Sequence, residues 1–181
     1  MRKALSAVLA AAALFGGAAI SNGAANAEGQ IVYKPFNYDV ISCEGKGNYN
    51  ENNVWFQTCK VEFKDTHEQA EYAFVDGFSN VHDVTVPASL GGHDVLQIGW
   101  GQSIVEGLDQ LKAVTIKANR SRTAGIDSVN YMTISNNAFK GRHLDYFDIS
   151  GMVYFYGDKI SDIVDASEIK NANQKPVVIE Q

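Results

Sequence analysis

The chain has 181 residues, 45% of them hydrophobic and 20% charged, with a formal charge of −6. That is too apolar for intrinsic disorder and too acidic for a nucleic-acid binder. Without the first 27 residues, which hold two bases, no acid and about 18 apolar residues, about 154 remain with a charge near −8; a chain of that size buries roughly two-thirds of its unfolded surface as one domain.

The chain begins with a short basic head, Arg2-Lys3, and an apolar run from Ala4 to Ile20. Ala25 and Ala27 then supply small residues at the −3 and −1 positions of a cleavage site. These are the three parts of a secretory signal peptide, predicted over 1–27 and removed in the mature protein. The run is Ala-rich and broken by Gly16-Gly17, which makes it a poor membrane span. A secreted or periplasmic protein, with the cell surface included, is therefore expected.

Residues 28–65 carry both cysteines. Asp39 to Ser42 and Val54 to Gln57 read as strands around a polar turn region, Gly45 to Asn53. A hairpin centred near Glu51 sets Cys43 opposite Cys59, and an oxidising compartment makes their disulfide the first reading. Neither cysteine has the C-x-x-C spacing of a reactive thiol. The segment is expected to form an N-terminal β cap, sealed by Tyr33, Phe36, Tyr38, Trp55, Phe56 and Phe63.

Residues 66–150 contain an internal repeat. Ala73 to Val86 aligns without a gap on Ser103 to Ile116, and a third copy runs from Ala138 to Ile149. The shared endings are Val81-x-x-Val84-x-Val86, Leu111-x-x-Val114-x-Ile116 and Leu144-x-x-Phe147-x-Ile149, with a degenerate fourth at Gln174-x-x-Val177-x-Ile179. The last two apolar residues of each triplet lie two apart, so they share the core face of a short strand. The residues beside them face outward. Units that each expose an uncovered apolar face are expected to stack.

At Ile134-Ser135-Asn136-Asn137-Ala138-Phe139-Lys140-Gly141 and Val84-Thr85-Val86-Pro87 the sequence resembles the BspA-like leucine-rich repeats of bacterial secreted and surface proteins. Ile98-Gly99, followed by Leu111 to Ile116, fits the pattern less closely. The resemblance covers roughly Glu71 to Ser150. It departs in its longer unit, in lacking a cysteine after Gly, and in the insert from Asn119 to Asn130. It implies a β-rich α+β fold: a short leucine-rich-repeat-type solenoid with the disulfide-clasped N-terminal β cap. Residues 151–181 would close it as a degenerate repeat and cap, including a helically spaced stretch at Ile160, Ile163 and Val164.

No chemical motif stands out. None of His67, His82, His93 and His143 lies three to five residues from another, so no zinc site is expected, and no cofactor. G-x-S-x-G and phosphate-loop patterns do not occur. Asp76 and Glu106 share one repeat position and read as equivalent turns rather than a catalytic pair. The expected function is therefore binding of a protein or glycan outside the cytoplasm by a non-catalytic chain. Alternation places Asp83, Thr85, Ala113, Thr115, Lys117, Tyr146, Asp148 and Ser150 outward, with Tyr146 the aromatic anchor. The alternatives are a secreted hydrolase with its site in 99–130, and an inhibitor or structural partner of an envelope enzyme.

Overall fold

In a computed structural model of the chain, residues 38–64, 66–100, 105–118 and 132–173 are described. The predicted signal peptide, Tyr33, Phe36, half of the 99–130 region including the 119–130 insert, and the fourth triplet at Gln174 to Ile179 lie outside them.

The described part begins with a long hairpin. Strand β1 (Tyr38–Glu51) turns at Asn52-Asn53 into β2 (Val54–Phe63), and both asparagines have positive φ, 52° and 67°. A two-residue turn of this hand matches the twist of the flanking strands, and asparagine tolerates it. Cys43 and Cys59 face each other across the pair and form the expected disulfide, with Cα atoms 4.1 Å apart. The strands continue much closer to the turn than expected, because a bulge between Glu44 and Tyr49 absorbs the glycines of the polar run.

The chain then alternates between two sheets. Strands β3 (Gln69–Phe78), β6 (His93–Ile98), β8 (Met132–Ile134) and β10 (Val153–Phe155) extend the hairpin into a sheet of order β1-β2-β3-β6-β8-β10, with the short β5 (Ser89–Leu90) hydrogen-bonded to β6. Strands β4 (Asp83–Val86), β7 (Ala113–Lys117), β9 (His143–Ser150) and β11 (Asp165–Lys170) form a second sheet of order β11-β9-β7-β4. The first sheet is mixed: β1, β2 and β3 pair antiparallel, while β3, β6, β8 and β10 pair parallel. The second is parallel throughout.

This arrangement overturns the expected leucine-rich-repeat-type solenoid and the α+β class. The fold is β-rich with mixed sheets, and no α-helix occurs among the described residues. The physical reason lies in the residues between the triplets. Phe74-Val75, Val95 to Ile98 and Met132 to Ile134 are β-formers buried on both faces, and they pair with one another as a further sheet instead of coiling back as turns. The hairpin continues that sheet through β3 as part of it. Nor is the stretch around Ile160, Ile163 and Val164 a helix of any length: only Ile160–Asp162 forms a single 3₁₀ turn before the chain extends into β11.

The repeat register itself is realised. Val84 pairs with Val114 and Val114 with Phe147; Val86 pairs with Ile116 and Ile116 with Ile149. These side chains are at most 4% exposed and join Val54, Phe56, Val75 and Phe78 of the first sheet in one core cluster. Phe78 stacks on Phe139, whose edge contact with Phe147 spans the space between the sheets. The turns repeat as well. The His82 carbonyl accepts from the Lys112 and Ala113 amides, and the Lys112 carbonyl accepts from those of Asp145 and Tyr146.

Candidate functional site

Parallel pairing arranges the outward residues of the second sheet in rows. One row runs Asp83, Ala113, Tyr146, Glu168, and the next runs Thr85, Thr115, Asp148, Lys170. Lys117 and Ser150 begin a third. The structure thus brings together all six singled-out residues, Asp83, Thr85, Thr115, Lys117, Tyr146 and Asp148, on one face. Asp83, Thr85 and Lys117 are exposed, while Thr115, Tyr146 and Asp148 are half-buried.

The β11 side of this face is tied up in its own contacts. The Tyr146 hydroxyl donates to Asp148 Oδ2 at 3.3 Å, and Asn171 Nδ2 donates to Asp148 Oδ1 at 2.7 Å. Lys170 Nζ lies 5.0 Å from the Tyr146 ring centroid and 3.4 Å from Glu168 Oε1. The Glu168 carboxylate, then Tyr146, raises the Lys170 pKa. Tyr146 is therefore oriented before any ligand arrives, with one ring face shared with an ammonium. Away from β11, Thr85 and Lys117 are exposed and are the more open part of the face.

His143, which the sequence places in no metal site, has a defined place where β9 pairs with β11. Its Nδ1 is 2.9 Å from Asp165 Oδ1 and its Nε2 is 2.9 Å from Ser167 Oγ. The order is that of an Asp-His-Ser relay, but the His143 and Asp165 side chains are 55% and 73% exposed. Acyl transfer depends on charge stabilisation in a water-excluded site. In open water the three groups act as a lateral clasp that pins β11 to β9.

A second feature lies where the hairpin meets the repeat. Gly77 bridges to Glu106, whose amide donates to the Asp76 carbonyl at 3.0 Å and whose carbonyl accepts from the Phe78 amide at 2.9 Å. Asp76 and Glu106, the acids of the first two repeat copies, thus lie on adjacent backbone segments one residue out of step. With Lys46, Trp55, Phe78 and the backbone of Gly77 and Gly107 they line a cleft of about 400 Å³. Gly107 has φ +75°, and a Cβ there would run into the Phe78 carbonyl oxygen, so the close approach requires glycine. Burial first, and the Glu106 carboxylate second, raise the Asp76 pKa; Lys46 acts the other way. Asp76 Oδ2 is buried without a hydrogen-bond partner among the described residues. The shared repeat position of Asp76 and Glu106 was readable in the sequence, but nothing there linked them to Trp55 and Lys46.

Among the described residues there is no group of three or more His, Cys, Asp or Glu side chains placed to hold a metal ion. No helix among them is long and apolar enough to cross a membrane. Set against protein-family models, curated proteins and solved structures, the chain matches none.

Proposed function

We propose that the mature chain is an exported, non-catalytic binding protein that recognises a protein or glycan through the outward face of the β4–β7–β9–β11 sheet. The observation that carries this reading is the register, which collects Asp83, Thr85, Thr115, Lys117, Tyr146 and Asp148 from three strands into adjacent rows. Neighbouring strands lie about 4.8 Å apart, so such rows form a closely spaced grid of polar and aromatic groups. A Cys43–Cys59 disulfide is compatible with an extracytoplasmic location, as is the three-part leader.

The test compares the wild type with Tyr146→Ala and Lys117→Glu, both by pull-down from an envelope extract and on a glycan array. Partners bound by the wild type should be lost or strongly weakened with each variant. If both variants retain every partner, the face is wrong.

A further inference from the structure

We infer that the cleft between Trp55, Asp76 and Glu106 binds an organic cation, an ammonium or guanidinium group on an aliphatic stem. Three features converge on this class of ligand.

The repeat does not require an acid at this position. The third copy carries Lys140 where the first two carry Asp76 and Glu106, and its neighbour Gly141 keeps the same left-handed conformation as Gly107. The two acids are therefore not dictated by the repeat; they place like charges along one cleft and Asp76 partly out of water. Like charges lining one cleft and a buried acceptor without a donor both destabilise the empty site. A ligand that is positively charged and rich in N–H donors relieves both penalties together. A neutral sugar supplies donors without the charge, and an anion adds to the repulsion.

The walls fit the same chemistry. Trp55 and Phe78 line the cleft beside the carboxylates, and cations are attracted to aromatic faces, tryptophan most strongly. Lys46 is the one base among the lining residues against two acids, which leaves the site net negative. The volume of about 400 Å³ lies in the range of small-ligand sites, roughly 300–1,000 Å³. Gly77 and Gly107 keep the floor of the cleft free of side chains.

The same head group occurs on a free polyamine and on a lysine or arginine side chain of a protein. Isothermal titration of the mature protein at low salt, with spermidine, agmatine and an end-blocked Gly-Lys-Gly peptide, separates these sources. One-site binding is expected, tighter for the free amines or for the peptide according to the source. Asp76→Asn and Glu106→Gln should each weaken it at least tenfold, whereas Lys140→Ala and Tyr146→Ala should leave it unchanged. Thermal melts showing both cleft variants folded separate loss of the site from loss of the fold. The proposal is overturned if no cationic probe saturates the wild type, if either cleft variant binds as the wild type does, or if an uncharged disaccharide binds equally well. Retained binding by Tyr146→Ala also makes it independent of the sheet-face reading, so the two can fail separately.

Discussion

The hairpin and the repeat are held together by different means. The pairing of β1 with β2 is set locally, by a two-residue asparagine turn, antiparallel register and a disulfide closing a separation of 16 residues. In β4, β7, β9 and β11 no neighbour in the sheet is a neighbour in sequence, because a strand of the other sheet intervenes each time. Their order rests on buried side chains in register and on turns that stack. Loop-closure entropy must be offset there by side-chain packing, whereas in the hairpin the connection is already short.

The contrast predicts that core packing matters most on the parallel side. Phe147 is fully buried and meets Phe139 edge-on at 5.7 Å between ring centroids. Phe147→Ala is expected to destabilise the protein by about 4 kcal/mol through lost burial and the cavity left behind. Chemical denaturation of the variant measures it. A loss below about 1 kcal/mol, the size of an ordinary surface or peripheral change, would mean that the parallel sheet does not depend on its register.

Removing the disulfide probes the other side. Cys43→Ala with Cys59→Ala is expected to cost about 3 kcal/mol, from the greater freedom of the unfolded loop. Native-state hydrogen exchange on the same variant sharpens the comparison. If the hairpin is a local clasp, amide protection falls in β1 and β2 by a larger factor than in β7 and β9. Equal losses in all four strands would make the molecule one cooperative unit and erase the distinction.

The same division decides what could be read from the chain. Cys43 opposite Cys59 was legible because a polar run of glycine and asparagine separates two apolar segments, a local signal. The triplets were legible because Val84, Val114 and Phe147 recur in equivalent contexts, and the residues outward of them came with the pattern. Two strands outside the triplets were not. Met132–Ile134 is three residues long and buried throughout, so it lacks the alternation that marks a half-exposed strand. Asp165–Lys170 is mostly polar and becomes a strand by pairing with β9. The cleft was out of reach for a related reason. Its acids come from two repeat copies, and Trp55 and Lys46 from the hairpin, so it exists only at the seam between locally and remotely determined structure.

That seam carries the smallest expected effect and the one with a distinct pH signature. Because the Asp76 pKa is raised by folding, the folded state binds this proton more tightly than the unfolded state does. Stability therefore falls as pH rises from the unfolded aspartate value, about 3.9, through the raised folded value, and is flat on either side. Asp76→Asn removes that slope. The variant should be more stable than the wild type at pH 7 by about 1 kcal/mol, the scale of one buried unsatisfied acceptor, and the difference should shrink as the pH is lowered through the window. Melts of both proteins across the acid range measure it. Cation binding must run in the opposite sense, weakening as the pH falls, since the proton and the ligand compete for the same carboxylate. A wild-type-minus-variant difference that ignores pH would remove the electrostatic strain from the cleft, leaving the hairpin and the repeat joined by backbone pairing and packing.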